Sequence, residues 1–208
     1  MSAAIVAASA IDRICAGIAD VGYAAVPGFL PATLVAALAA DARQRDAAGE
    51  FSIAGVGRGS TRIERSAIRR DRILWLDEPA ADAVTRRCWE MLAALRSALN
   101  QALLLGLFSF EGHYAIYPRG GFYRRHRDRF RDDDTRVLSC VLYLNHDWTA
   151  SDGGVLRLHL DGGEPFDVLP AGGTLACFLS DRFEHEVLPA TRERLALTGW
   201  FRRRAMPV

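Results

Sequence analysis

The feature that most constrains the fold is a change of residue pattern near position 105. Beyond it, short runs of alternating apolar and polar residues follow one another, separated by turn residues such as Gly, Pro and Asp. Eight short strands in roughly a hundred residues are typical of a sandwich or barrel, and a jelly roll is the natural candidate. The predicted strands cover residues 110–117, 121–127, 136–145, 154–160, 166–169, 173–179, 184–188 and 195–203.

Before residue 105 the pattern is mainly helical. Apolar residues recur at helical spacing in three segments, and a short β-like run lies between the first two. The predicted helices cover residues 3–20, 31 to about 49, and 80 to about 103, and the β-like run covers residues 23–26. The expected class is therefore α+β: a double-stranded β-helix (jelly-roll) core with supporting helices on its N-terminal side.

Residues 49–72 are rich in Gly and Arg and show little apolar periodicity. We expect a mobile loop there, and long loops of this kind are disproportionately functional, although an ordinary connection has the same composition. The chain of 208 residues is long enough for one core and does not require a second. We predict a single domain over 1–208, with helical support and the loop in 1–105 and the β-core in 106–208.

Composition and charge argue against several functional classes. The net charge is +1, so no overall field favours a nucleic acid or a membrane as partner. The four cysteines are scattered without a CxxC pair, which argues against a zinc knot or a disulfide scaffold. The apolar start lacks a basic flank and resembles an amphipathic helix more than a signal peptide. These features predict a cytoplasmic protein and leave its oligomeric state open.

A candidate metal site begins with the HxD motif of His126 and Asp128. His185 follows 57 residues later in another predicted strand. Residues two apart on an extended segment point to the same side, so His126 and Asp128 can share one metal ion. Two imidazoles and one carboxylate form a facial triad that leaves adjacent positions on iron(II) open. An isolated HxD is more often an ordinary surface pair, and the other histidines, His113, His146 and His159, are expected to be surface or hydrogen-bonded residues.

Arg194 strengthens the case for a small anionic ligand. It comes nine residues after His185 and begins an otherwise apolar predicted strand. A buried guanidinium without a partner is very costly, and a bidentate carboxylate would satisfy it. A structural salt bridge to an acidic side chain is the alternative.

Residues from about Ile68 to Arg202 resemble the prolyl-hydroxylase branch of the 2-oxoglutarate- and iron(II)-dependent oxygenases, which includes the HIF prolyl hydroxylases and bacterial relatives. His126, Asp128, His185 and Arg194 match the order and spacing of that family. Further matching stretches are Tyr117-Pro118, Tyr143-Leu144-Asn145-His146-Asp147-Trp148, Gly153-Gly154-Val155-Leu156-Arg157 and His185-Glu186-Val187.

The resemblance implies roles for particular residues. Arg194 would bind the distal carboxylate of 2-oxoglutarate, with a hydrogen bond from Tyr143 to the same group. Thr198 lies on the same strand face as Arg194. The pocket would be lined by Tyr117, Leu156, Val187 and Trp200. On strands such residues are usually core, so the triad is what favours a pocket.

The resemblance also implies the chemistry. Iron(II) would be the cofactor, 2-oxoglutarate and O2 the co-substrates, and ascorbate a stimulant. The 2-oxoglutarate is split into succinate and CO2 while a C–H bond is hydroxylated, and the protein supplies orientation and a dry pocket. The implied reaction is hydroxylation of a prolyl residue in a protein substrate, with elongation factor Tu as the candidate in the bacterial branch. A small-molecule or free amino-acid hydroxylase is the alternative, and a metal-binding sensor without turnover is a third hypothesis.

Three residues match the substrate-handling side of the family: Arg69 and Asp71 on the mobile loop, and Arg136 beside the iron. We expect an exposed Asp71–Arg136 ion pair to form when the loop closes over bound peptide. Arg136 is also the last residue of a charged run, 129–136, where it would simply be solvated. Gly199 and the Arg-rich segment around the HxD depart from the animal enzymes, which bears on peptide preference.

Overall fold

The structure is a computed structural model that describes residues 3–55, 66–77, 82–128 and 134–205. Three helices precede most of the strands in the chain. They are α1 (Ala3–Asp20), α2 (Ala32–Ala47) and α3 (Ala83–Leu103). The strands are β1 (Tyr23–Val26), β2 (Ser52–Ile53), β3 (Arg72–Leu76), β4 (Ser109–Tyr117), β5 (Tyr123–His126), β6 (Arg136–Tyr143), β7 (Leu156–His159), β8 (Phe166–Val168), β9 (Leu175–Leu179), β10 (Glu184–Val187) and β11 (Arg194–Arg202).

The strands form two antiparallel sheets. The major sheet has seven strands in the order β1-β9-β6-β11-β4-β3-β2, and the minor sheet has four in the order β5-β10-β7-β8. The structure is thus a jelly-roll-type β-core with helices, as predicted. The eight strands expected after residue 105 are all present, each within a few residues of its predicted range.

Alternation along the major-sheet strands creates two cores. On β6, for example, Cys140 and Leu142 belong to the core beneath the helices, whereas Val141 and Tyr143 belong to the core between the sheets. Successive side chains of a strand point to opposite faces, so each central strand contributes to both cores. The helices therefore close one face of the major sheet, and the minor sheet stands over the other.

Local signals explain how α3 is placed against the sheet. Asp82 caps its first turn by accepting hydrogen bonds from the backbone N–H groups of Val84 and Thr85, which would otherwise lack intrahelical partners. One face of the helix is buried under the sheet, and its members are Thr85, Cys88, Trp89, Leu92, Leu95 and Leu99.

No helix in the described ranges combines the length and apolar character that crossing a bilayer would require.

The predicted loop over 49–72 is only partly a loop. Its first part contains β2, its last residue begins β3, and β3 pairs with β2 on one side and with β4 on the other. The sequence did not predict β3, because Ile73 faces the inter-sheet core while Leu74 packs towards the helices, so no polar alternation marks the strand. Residues 56–65 lie outside the described residues, so the expected mobility stays a prediction.

Gly199 is explained by packing on the side of the sheet away from the minor sheet. A Cβ at this position would lie 2.4 Å from the Glu111 carbonyl oxygen and 2.4 Å from the Phe110 ring. The Phe110 ring, which packs against Trp89 and Phe201, needs the space that glycine leaves. This departure from the animal enzymes therefore serves the helix-side core.

Candidate active site

The three predicted metal ligands converge at one point of the minor sheet. His126 on β5 and His185 on β10 are directly opposite each other in register. Asp128 follows β5, and its two carboxylate oxygens lie 3.5 Å from His126 Nε2 and 3.5 Å from His185 Nε2. One ligand atom from each residue falls within 4.8 Å of the others. This donor set, two imidazole nitrogens and one carboxylate oxygen, suits iron(II) or a similar divalent metal ion.

Hydrogen bonds orient both imidazoles towards this point. His126 Nδ1 lies 2.7 Å from the Arg124 carbonyl oxygen, and His185 Nδ1 lies 3.4 Å from that of Phe183. Donation from Nδ1–H to these carbonyls leaves the Nε2 lone pairs directed at the metal position. Burial lowers the pKa of His185 to about 4, despite the opposing effect of Asp128. Its imidazole is therefore neutral, and able to bind a metal, at neutral pH.

Asp128 is held by a residue of the opposite sheet. The Ser139 hydroxyl on β6 donates to the Asp128 carboxylate at 2.7 Å and also lies 2.9 Å from the Ser180 hydroxyl. Burial alone would raise the pKa of Asp128, but the two histidines and the Ser139 hydrogen bond hold it well below its ordinary value. The carboxylate is thus ionised and fixed. Partners of this kind orient metal ligands. Ser139 was not predicted as a site residue, because it acts from the opposite sheet.

A cavity of about 450 Å³ opens between the sheets beside the triad. Most residues expected in the pocket line it. They are Arg69, Tyr117, Arg136, Leu156, Val187, Arg194, Thr198 and Trp200. Tyr143 is fully buried behind this lining, and Asp71 lies outside it.

Arg194 carries an uncompensated charge at the inner side of the cavity. Its side chain is 1% exposed, and its Nε donates to the Gly154 carbonyl oxygen at 2.9 Å. Its Nη2 atom and the Tyr143 hydroxyl are both buried without a hydrogen-bond partner among the described residues. The guanidinium lies 5.1 Å from the ring centres of Tyr117 and Tyr143. Two neighbouring unsatisfied donors, one of them charged, fit a bound carboxylate, whereas the alternative of a structural salt bridge is not observed in the described part of the chain.

Gly154 lets the backbone approach Arg194 closely. Its φ is +69°, a conformation that L side chains rarely adopt, and a Cβ would lie 3.2 Å from Arg194 Cδ and 2.9 Å from Ala190 Cβ. Glycine therefore allows its own carbonyl to accept the Arg194 hydrogen bond. Gly153 has a separate cause, because its φ is +67° and a Cβ there would lie 2.8 Å from the Pro189 carbonyl oxygen.

Tyr123 lines the cavity but was not predicted as a site residue, because a regular strand would place its side chain on the face opposite to His126. Its ring stacks on His126 at 3.6 Å, and the Arg69 guanidinium lies 4.2 Å above it. Residues three apart on a regular strand face opposite sides, but the register shifts between His185 and Val187, which pair with His126 and Tyr123. Such a bulge re-aims a side chain, so Tyr123 and His126 share the cavity.

An aromatic wall lines the mouth of the cavity on the major sheet. Trp75, His113 and Trp200 lie side by side on β3, β4 and β11, with ring centres 4.8 to 6.2 Å apart. Trp75 is 48% exposed and still lines the cavity. Trp75 and His113 were not predicted as site residues, because β3 was not recognised as a strand beside β4.

Asp71 and Arg136 have partners other than those expected. The Asp71 side chain is buried and accepts two hydrogen bonds from Arg69, at 2.8 and 2.6 Å. Arg136 donates to Glu111 at 2.8 Å and stacks 3.5 Å from the Trp200 ring centre. Asp71 is therefore buried in this structure, which has no bound peptide. The predicted Asp71–Arg136 pair concerned the peptide-bound state, and here both side chains are already engaged.

Because of this burial, we expect Asp71→Asn to destabilise the protein. Burial opposes the charge of Arg69, yet the Asp71 hydrogen bonds and charge raise the pKa of Arg69 above its ordinary value, so the guanidinium stays protonated. Removing the carboxylate charge leaves it poorly compensated, at a cost of about 2–3 kcal/mol. Chemical denaturation checks this. The control is Asp46→Asn, which removes the more exposed pair with Arg72 and should cost less than about 1 kcal/mol. Equal costs would contradict the argument.

Comparison with known proteins identifies the family. A model described as the 2OG-Fe(II) oxygenase superfamily matches residues 112–202. The crystal structure of a prolyl-4-hydroxylase from Pseudomonas putida is 49% identical, covers 94% of this chain and all of that chain, and superposes with a TM-score of 0.84. The chain belongs to the 2OG-Fe(II) oxygenase superfamily. The resemblance found in the sequence is therefore confirmed.

Animal relatives of this oxygenase extend the comparison. Human Egl nine homolog 1 is 35% identical over 144 residues, which cover 64% of this chain and 33% of the relative. The chain thus spans about a third of that protein. A Trichoplax adhaerens prolyl hydroxylase, solved with a hypoxia inducible factor peptide fragment, is 24% identical with a TM-score of 0.85, covering 96% of this chain and 91% of that one. At this identity the second likeness concerns the fold.

Proposed function

We propose that the protein is a 2-oxoglutarate- and iron(II)-dependent dioxygenase that hydroxylates a prolyl residue of a protein substrate. The proposal rests on two features that meet in one cavity. They are the candidate metal-ligand triad and the buried Arg194, whose Nη2 donor has no hydrogen-bond partner among the described residues. Neither feature alone requires 2-oxoglutarate. Together they fit a ligand that presents a metal-binding 2-oxo acid at one end and a carboxylate at the other.

Different residues of the cavity would bind the metal ion and the co-substrate. His126, Asp128 and His185 would hold iron(II), and Arg194 with the Tyr143 hydroxyl would hold the distal carboxylate of 2-oxoglutarate. Burial raises the pKa of Tyr143 to about 12 despite the nearby Arg194 charge, so its hydroxyl remains a donor at neutral pH. When bound, iron(II) supplies the oxidation in which O2 and 2-oxoglutarate yield succinate, CO2 and a hydroxylated substrate. The apolar wall of Leu156, Val187 and Trp200 keeps water away from the reacting groups.

A peptide substrate is supported by the outer part of the cavity. Trp75 is an exposed aromatic side chain at its mouth, and Arg136 is stacked flat on Trp200 just inside. Aromatic and arginine side chains are enriched in the interfaces through which proteins recognise other proteins. The similar proteins are described as prolyl hydroxylases, and the one from Trichoplax adhaerens was solved with a peptide. Elongation factor Tu is the protein that we would test first.

The test measures oxygen transfer to protein. Purified elongation factor Tu and a bacterial lysate are each incubated with the iron-loaded enzyme, 2-oxoglutarate and isotopically heavy O2, and modified residues are mapped by tandem mass spectrometry. We expect heavy oxygen on a prolyl residue, with Asp128→Ala enzyme as the blank. Heavy oxygen only on small molecules would favour the free amino-acid or small-molecule alternative. Absence of succinate formation with every substrate would contradict the dioxygenase itself.

A further inference from the structure

Arg127 is an arginine of the cavity whose charge the proposed function does not use. It lies between the metal ligands His126 and Asp128 in sequence, is exposed, and lines the cavity rim. The other cavity arginines are engaged or assigned: Arg69 with Asp71, Arg136 with Glu111, and Arg194 towards the co-substrate. Within the described ranges, no residue forms a hydrogen bond or ion pair with the Arg127 guanidinium.

The positive charge of Arg127 acts on the Glu184 carboxylate, which already has Arg125 as its hydrogen-bond partner. The Glu184 carboxylate accepts a hydrogen bond from Arg125 at 2.8 Å. That bond and the Arg125 charge lower the pKa of Glu184, and the Arg127 charge adds to the effect. Arg125 thus satisfies the available carboxylate of β10, and Arg127 presents its guanidinium at the entrance to the site.

We propose that Arg127 selects substrates with an acidic side chain close to the target prolyl residue. The inference rests on the proposed prolyl hydroxylation and names its substrate class as an acidic, proline-containing segment. Asp and Glu carboxylates match the geometry of a guanidinium, which can bind them through two parallel hydrogen bonds.

The position of Arg127 limits where the acidic residue lies. The reacting prolyl residue must reach the triad, and Arg127 is adjacent in sequence to two of its members. An extended peptide advances about 3.3 Å per residue, so a carboxylate that meets Arg127 belongs to a residue within roughly three positions of the target. Among the described residues, two carboxylates line the cavity, and neither competes for it: Glu111 is bound to Arg136 and Arg202, and Asp128 faces the metal position.

The experiment uses a degenerate peptide library with a fixed central proline and several randomised positions on each side. Hydroxylated products are sequenced by mass spectrometry, and residue frequencies at each position are compared with the unreacted library. We expect Asp and Glu to be enriched about two- to fivefold over Asn and Gln at one position, the scale of an exposed ion pair. Arg127→Glu should replace this preference by one for Lys and Arg at the same position.

Matched variants separate Arg127 from general electrostatics and from loss of metal. Arg124→Glu is the control, since Arg124 is exposed on the preceding strand β5, packs on Phe122 and does not line the cavity. It should retain the acidic preference. Arg127→Gln, with its iron content measured, should lose the preference without reversing it. Each preference is a ratio within one variant, so a slower enzyme still reports it.

Four results would overturn the inference. If the wild type hydroxylates prolyl residues without acidic enrichment, or if Arg127→Glu and Arg124→Glu change the enrichment equally, Arg127 is not the selecting residue and the proposed function stands. If no library peptide is hydroxylated while elongation factor Tu or lysate proteins are, recognition does not depend on the local sequence. Absence of prolyl hydroxylation from all three substrates removes the proposed function and this inference together.

Discussion

Replacing Asp128 by alanine is expected to abolish 2-oxoglutarate turnover while leaving the fold in place. Asp128 is the one carboxylate of the triad, and its oxygens face both His126 and His185. Loss of an outer-shell partner alone typically costs about 10–100-fold in metal affinity or activity, so loss of the ligand itself should exceed about 100-fold. Folding should change little, because the Ser139 hydroxyl keeps Ser180 as a partner and no buried donor is stranded.

Two readouts check this result. Iron content after gel filtration reports metal binding, and succinate release reports turnover, while circular dichroism confirms the fold. Ser139→Ala should give an intermediate loss, about tenfold, because it removes only the hydrogen bond that orients Asp128. Asp167→Ala is the matched control: this carboxylate lies on the minor sheet but pairs with Arg157 at the surface. An Asp128→Ala protein that retained iron and turnover would contradict the assignment of the metal centre.

The β-core was predictable because each strand after residue 105 carries its own local pattern. Alternation and turn residues are properties of consecutive residues, so the ranges 110–117 and 195–203 correspond closely to β4 and β11. β3 has apolar residues on both sides because the helices cover one face and the minor sheet faces the other. A strand with apolar side chains on both faces lacks the alternation that identifies strands in a sequence.

Some residues of the site could be recognised from the local sequence, whereas others depend on contacts between distant parts of the chain. The convergence of His126, Asp128 and His185 and the burial of Arg194 were predictable, since candidate metal ligands and a charge in an apolar strand have recognisable residue types and spacings. Ser139 and Tyr123 were not, because one acts across the two sheets and the other depends on a bulge. The burial of Asp71 was not predictable for a related reason: it depends on pairing with Arg69, and neighbouring charges in a sequence do not show which of them is covered.

The inner end of the cavity connects stability with co-substrate binding. Arg194 is buried with its Nη2 donor unsatisfied, so the protein without 2-oxoglutarate bears the cost of an uncompensated charge. A carboxylate that binds there removes this cost and stabilises the folded state through mass action. Binding at this arginine therefore has a thermal signature that is independent of turnover.

Arg194→Met is accordingly expected to weaken 2-oxoglutarate binding by about 1.5–3 kcal/mol, the scale of a hydrogen bond to a charged group. That corresponds to a rise of roughly 10- to 150-fold in Kd. The methionine side chain fills much of the same space without a charge, so the unliganded variant should be as stable as the wild type or more so. Calorimetric titration of the metal-loaded protein measures the affinity directly.

The decisive measurement is the shift in melting temperature caused by saturating 2-oxoglutarate. The shift should be large in the wild type, reduced in Tyr143→Phe, which loses only the second donor, and smallest in Arg194→Met. Arg192→Met is the control, because Arg192 lies two residues away but is only partly buried, pairs with Asp152 and stacks on Trp148. It should keep the full shift. If Arg194→Met also keeps the full shift and an unchanged Kd, the carboxylate binds elsewhere, and the buried charge of Arg194 must serve another anionic ligand.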